Sequence, residues 1–199
     1  MIYDHLGDKK KAEECTLDSL KCNEKIGNPL GQAICCGILA RLYNSLANSS
    51  KDEKEKLEKY SKALEFFKKN ESLSLNLDNT YGIVFIPYSI AYTYKKINDL
   101  KNSEIFANTS KNRSIKYNNF MDIHIQSSAL LIEVYFLTNR TKEAEKEISS
   151  YISFVADKKS KNFLGGGNAD SSKSLENYLS QNKLEYPKLL ESIKMAVKN

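Results

Sequence analysis

Apolar and polar residues along the chain follow the period of an α-helix. Leu57, Tyr60, Leu64 and Phe67 recur at steps of three and four residues, which places them on one helical face as a buried stripe. Short turns containing Gly, Asn or Asp bound such segments. The pattern predicts a nearly all-helical chain without a β-sheet, with helices at 8–26, 29–47, 55–76, 81–97, 100–118, 120–138 and 142–156.

A tyrosine stands four residues before a turn position in four places along the chain. The turn positions are 7, 47, 98 and 139, so the pattern repeats with a period of about 40 residues and one insertion of about 11. Eleven residues make about three helical turns, so we expect the insertion to lengthen the helix near 55–76, with a loop around 48–51. The tyrosines are Tyr3, Tyr43, Tyr94 and Tyr135, and small residues follow the turns at Ala12, Ala63, Ser103 and Ala144.

The residue types fit a repeat of two helices joined by short turns. Ala40 and Ala91 lie three residues before a tyrosine, so each pair faces a neighbouring helix. The small residue after the turn lets two helical backbones approach closely. Gly or Asn at the turn tolerates the left-handed conformation that ends a helix. Pro87 lacks a backbone N–H, so we expect a helix to start just before it or to bend there.

The stretch LGDKKKAEE…LKCNEKIGNPLGQA resembles the tetratricopeptide repeat in its longer form of about 40 residues. The resemblance implies an all-α fold, an α-solenoid of antiparallel helix pairs in a right-handed superhelix. It covers residues 1–158 as a half repeat followed by three repeats. Residues 159–171 then form a Gly, Asn and Ser linker, and 172–199 form a C-terminal helical segment with Pro187 in the first turn of its last helix.

The first repeat element starts close to the beginning of the chain. Only two residues precede Tyr3, whereas about 14 precede the equivalent tyrosine in a full unit. We therefore expect either that the chain is a fragment of a longer protein or that another chain covers this half repeat. Self-association through the half repeat is one possible form of such cover.

Charge and hydropathy narrow the classes of partner. The 199 residues include 30 Lys and Arg against 25 Asp and Glu, a net charge of +5 that is spread along the chain. No basic stripe repeats with the period, so we expect no nucleic-acid binding by this segment. No apolar stretch reaches the roughly 18 residues that span a bilayer, so we expect no membrane contact either. These features favour a cytoplasmic protein, with the periplasm left open if the chain is a fragment.

Residues arranged for catalysis or metal binding are not found in the sequence. Cys15, Cys22, Cys35 and Cys36 lack the paired spacing of a zinc site, and we interpret them as small apolar residues between helices. His5 and His124 lie in no metal-binding motif. The run of three glycines at 165–167 lacks the Lys and Ser or Thr of a phosphate loop. We therefore predict a protein that is not an enzyme and has no cofactor or metal.

The resemblance implies that the first helix of each pair lines a concave surface. In the family that surface binds peptides, and the function expected here is a protein-binding or peptide-binding scaffold. The alternative is a sensing fragment of a larger bacterial signalling protein, a transcription regulator or a histidine kinase. The family's clamp for C-terminal carboxylates is not reproduced, because Gly37 and Tyr88 stand where basic residues would. The expected binding residues are Arg41, Asn44, Tyr88, Tyr92, Lys95, Gln126 and Glu133.

Overall fold

The computed structural model describes residues 9–117 and 120–160, and within these ranges it contains seven helices and no strand. The predicted all-helical class is confirmed, and predicted and observed helix ends differ by four residues or fewer. The helices are α1 (Lys9–Lys25), α2 (Pro29–Ser49), α3 (Glu53–Asn76), α4 (Thr80–Lys96), α5 (Leu100–Lys116), α6 (Met121–Leu137) and α7 (Thr141–Ser160).

Each helix packs against the next one in the chain, and the connections are short enough to make neighbours antiparallel. Side-chain bonds also join every second helix. Glu24 of α1 pairs with Lys69 of α3 at 2.5 Å, and Glu71 of α3 pairs with Arg113 of α5 at 2.7 Å. Lys111 of α5 pairs in the same way with a glutamate of α7. Helices α1, α3, α5 and α7 therefore form one layer, and α2, α4 and α6 form the other.

Residues with a left-handed backbone conformation follow several of the helices. Gly27, Asp78, Asn98 and Asn139 have φ between 51° and 63°. Short polar side chains and glycine adopt this conformation more readily than other residues, as expected for Asn98 and Asn139. The expected turn at Ala47 is wrong, because Ala47 is fully buried within α2, which continues to Ser49.

Two helices of the second layer begin with the same four-residue pattern. Asn28 caps α2 by accepting a hydrogen bond from the Gly31 N–H at 3.1 Å, and Asn79 caps α4 by accepting one from the Gly82 N–H at 3.3 Å. A Cβ on Gly82 would lie 2.2 Å from Ser74 Oγ, on the preceding helix. Glycine therefore lets the end of α3 approach the start of α4.

The core lies between the two layers. The small residues expected at the helix crossings, Ala63, Ser103 and Ala144, are fully buried, and Ala12 is nearly so. The predicted buried stripe of α3 is confirmed for three of its four residues. Leu57 is 52% exposed, because it lies near the start of the lengthened α3, away from the core formed with α2.

Helix α4 continues through Pro87, so the expectation that a helix begins just before this residue is wrong. Proline has no N–H to donate to the carbonyl of Ile83. Arg113 of α5 donates its Nη1 to that carbonyl at 3.0 Å, and Ser110 Oγ donates to the next carbonyl, that of Val84, at 2.8 Å. The adjacent helix thus supplies the Ile83 carbonyl with the donor that α4 lacks. A bend at Pro87 stays a prediction.

The described helices reach slightly further than the expected repeat region. Helix α7 ends at Ser160, so the linker expected from residue 159 begins no earlier than 161. The expectations for Tyr3, His5 and Gly7, for the turn at 118–119, and for the linker and C-terminal segment at 161–199 lie outside the described residues. None of the described helices is long and apolar enough to cross a membrane.

Candidate functional site

A groove runs between α2 and α4, with α3 as its floor. It consists of a cavity of about 430 Å³ and a second of about 170 Å³, which share Arg41 and Phe85. We call the two together the α2/α4 groove. From Leu30 at one end to Ser49 at the other, it follows α2 for about 28 Å at 1.5 Å per residue. A peptide of about eight extended residues matches that length.

Helical periodicity explains why these side chains share one groove. On α2 the lining residues recur at steps of three or four, through Ile34, Gly37, Arg41 and Asn44. On α4 the same steps place Tyr81, Phe85, Tyr88 and Tyr92 along the opposite wall. Positions 34 and 85, 37 and 88, and 41 and 92 each differ by the 51 residues of the lengthened repeat.

Four of the expected binding residues meet in this groove. Arg41, Asn44, Tyr88 and Tyr92 all line its larger cavity. Asn44 donates its Nδ2 to Thr93 Oγ1 at 2.9 Å, a bond that joins α2 to α4. Arg41 is exposed and forms no ion pair with the described residues. The groove therefore presents an unpaired cation between amide and phenol groups.

Lys95 and Glu133 lie outside the groove lining and bind one another. Lys95 Nζ of α4 lies 2.5 Å from Glu133 Oε2 of α6, and both side chains are largely buried. Lys95 is one of the expected binding residues, and within the chain its charge is balanced by Glu133. The same Nζ lies 5.4 Å from the centre of the Tyr92 ring, and Lys96 Nζ lies 5.2 Å from it.

Gln126 is the last of the expected binding residues. It lies half-buried on α6, and it is not among the described residues that line the α2/α4 groove. The structure thus brings together four of the expected residues on α2 and α4, while Lys95 pairs with Glu133 of α6 and Gln126 lies outside the groove lining.

Aromatic side chains form the α4 wall. The Tyr81 and Phe85 rings stack with centres 5.3 Å apart, and Phe85 lies 6.4 Å from Tyr88. Burial raises the pKa of Tyr88 to about 12, and the nearby Tyr92 and Glu133 add to the rise. The Tyr88 phenol is protonated at neutral pH and can donate a hydrogen bond.

The floor of the groove comes from α3, which sequence reasoning did not include in the site. Asn70 and Phe67 reach the groove from this helix, and both are buried. Ser74 Oγ donates to Asn70 Oδ1 at 3.1 Å, which leaves the Asn70 Nδ2 directed elsewhere. A Cβ on Gly37 would lie 2.7 Å from that Nδ2 and 3.7 Å from Arg41 Nη1. The absence of a side chain at Gly37 therefore lets the Asn70 amide approach α2 closely, near Arg41 Nη1.

Two further polar residues of α2 shape the far end of the groove. Asn48 accepts a hydrogen bond from the Tyr60 hydroxyl at 2.7 Å, and Ser45 accepts one from Lys9 Nζ at 2.9 Å. Both residues follow Arg41 at steps of four and three residues, and this helical spacing could have identified them as groove residues from the sequence. Neither stood out in the sequence, because serine and asparagine are common at exposed helical positions.

Two of the four cysteines and His124 are buried within the fold. Cys35 and Cys36 are buried as expected, but Cys15 and Cys22 are exposed and do not fill space between helices. Burial raises the pKa of the Cys36 thiol to about 11, which keeps it protonated at neutral pH. His124 is buried and stacks on Phe154 with ring centres 3.9 Å apart. No group of three potential ligands that could hold a metal occurs in the described ranges.

Comparison with protein-family models finds no match for this chain, and comparison with curated proteins likewise finds none.

Proposed function

We propose that this chain is a protein-binding scaffold of the tetratricopeptide type, which holds an extended peptide segment of a partner in the α2/α4 groove. The supporting observation is the groove itself. Side chains at matched positions of two successive repeats line it along both walls, and it fits about eight extended residues.

The chemistry of the lining suits a peptide. Aromatic rings on α4 offer apolar area, and phenol and amide groups offer hydrogen bonds to a peptide backbone. Arg41 adds a cation that forms no ion pair with the described residues. Residues of these types are enriched where proteins recognise one another. We expect a binding role without catalysis by these residues and without a cofactor.

Two layers joined by bonds between alternate helices suit a scaffold. The Asn44 to Thr93 bond fixes α2 against α4, and the Lys95 to Glu133 pair fixes α4 against α6. A groove whose walls are held in this way loses little conformational freedom when a peptide enters.

The experiment compares partner retention by native protein and by a groove variant. Ile34 is 54% exposed and Arg41 is exposed, so the double variant Ile34→Ala with Arg41→Ala should fold normally. The matched control replaces an exposed isoleucine and lysine of α5, Ile105→Ala with Lys101→Ala. Both variants should show the native helical circular dichroism.

Purification from the source cell at equal folded amounts should show that the groove variant retains partners at least about tenfold less, a loss of roughly 1.4 kcal/mol. The α5 control should retain them as the native protein does. Equal retention by native and groove variant, or a loss confined to the α5 control, would show that binding occurs elsewhere.

A further inference from the structure

The charge in the α2/α4 groove has one sign. Arg41 is the only charged residue among the described residues that line it, and it has no carboxylate partner among them. Lys9 Nζ reaches Ser45 at one end, and Lys96 Nζ lies 5.2 Å from the centre of the Tyr92 ring. An acidic ligand therefore meets a cation at Arg41, and no carboxylate stands among the described residues that line the groove.

Two donors converge at the middle of the groove. Arg41 Nη1 and Asn70 Nδ2 both lie within 4 Å of the point where Gly37 would carry a Cβ. The bond from Ser74 Oγ to Asn70 Oδ1 sets the orientation of the buried amide, so that Nδ2 lies against Gly37 and close to Arg41. One cation beside one neutral donor matches the single negative charge of a carboxylate better than the roughly two charges of a phosphate.

Apolar side chains lie at a fixed distance from these donors. Ile34, Leu30 and Tyr81 are 54%, 52% and 58% exposed, and all three line the smaller cavity. Ile34 precedes Arg41 by seven residues, about 10 Å along α2. An extended peptide covers that distance in about three residues.

We propose that the groove selects an acidic peptide whose Asp or Glu side chain binds Arg41 and Asn70 above Gly37. A large apolar residue of the same peptide, two to four positions away, packs against Ile34, Leu30 and Tyr81. This specificity rests on the proposed peptide-binding function and adds the ligand class to it.

The test is selection from a displayed library of random nine-residue peptides, flanked on both sides so that no free C-terminal carboxylate is present. The native protein should enrich peptides that combine an Asp or Glu with a Leu, Ile, Phe or Met two to four residues away. A synthetic copy of an enriched peptide should lose about tenfold in affinity when its acidic residue is replaced by the corresponding amide. Its affinity should also fall as salt rises.

Two single variants separate the two subsites. Arg41→Ala should lose the acidic preference and the salt dependence while keeping the apolar preference. Ile34→Ala should lose the apolar preference and keep the acidic one. The control Lys101→Ala removes an exposed cation of α5 and should select the same peptides as the native protein.

Each other outcome overturns a defined part of the proposal. Enrichment of peptides without an acidic residue leaves the peptide-binding function standing and refutes the acidic ligand. An acidic preference that survives Arg41→Ala refutes the assignment to this subsite. No enrichment by a protein with native circular dichroism refutes both the ligand class and the peptide-binding function.

Discussion

Arg113 Nη1 donates to the carbonyl of Ile83, the group that Pro87 leaves without a donor inside α4. The same Nη1 lies 2.7 Å from Glu71 Oε1, so Arg113 connects α3, α4 and α5. The proline in α4 and the arginine in α5 thus form one structural unit, although 26 positions separate them in the sequence.

The first prediction tests this unit with a double-mutant cycle. Arg113→Ala should lower the free energy of unfolding by about 1.5–3 kcal/mol, because a buried carbonyl and a largely buried carboxylate lose a charged donor. In a Pro87→Ala background, residue 87 regains its N–H for the Ile83 carbonyl, so the same change should cost less. Urea unfolding of the four proteins gives the values. An equal cost in both backgrounds would show that Arg113 does not compensate for Pro87.

The second prediction concerns the close approach at the start of α4. Gly82→Ala should destabilise the protein by about 1–3 kcal/mol, because the added Cβ would lie 2.2 Å from Ser74 Oγ and 2.7 Å from Ser74 Cβ. Gly31→Ala at the equivalent position of α2 meets mainly the end of the Asn23 side chain, which can rotate away. It should therefore cost less when both are measured by urea unfolding. A larger loss for Gly31→Ala would contradict this account.

The third prediction concerns the left-handed turn between α4 and α5. Asn98 has φ of 60°, so Asn98→Ala should lower stability by about 1 kcal/mol while Asn98→Gly should not lower it. Asn112 is an exposed residue inside α5, and Asn112→Ala should leave stability unchanged or raise it because alanine favours the helix. Thermal unfolding of the three variants measures these changes in stability. A loss for Asn98→Gly equal to that for Asn98→Ala would mean that the side chain, and not φ, matters.

The fourth prediction is a dependence of stability on pH. Burial raises the pKa of Tyr88 to about 12, whereas an unfolded tyrosine titrates near 10. As pH rises through about 10, the Tyr88 phenol of the unfolded chain loses its proton, while that of the folded chain keeps it until about pH 12. Deprotonation therefore favours the unfolded chain, and the stability that the raised pKa contributes below pH 10 is lost between about pH 10 and 12. Tyr88→Phe removes the group. The native protein should therefore lose stability relative to Tyr88→Phe between pH 10 and 12.

Urea unfolding at pH 8 to 11.5 tests this difference. Below pH 9 the gap in unfolding free energy between the two proteins should stay constant, which serves as the control. Parallel curves up to pH 11.5 would show that the Tyr88 pKa is not raised.

The sequence alone predicted the helices and the residues at which they cross. Helical periodicity is local, and the small residues at Ala63, Ser103 and Ala144 repeat with the turns, so both can be found without coordinates. The resemblance to a repeat family also placed Arg41 and Tyr92 among the expected binding residues, and both line the α2/α4 groove. Equivalent positions of successive repeats are neighbours, whatever connects them.

The tertiary structure decided what each of those side chains meets. Lys95 and Arg41 both stood out in the sequence as candidate ligand-binding cations, yet among the described residues Lys95 pairs with a carboxylate, that of Glu133, and Arg41 does not. The Asn70 amide enters the groove from a helix of the other layer, and the donor for Ile83 comes from α5. Such pairings depend on which side chains of separate helices meet across the packed layers. Periodicity fixes the face on which a residue lies, but the packing of the layers fixes its partner.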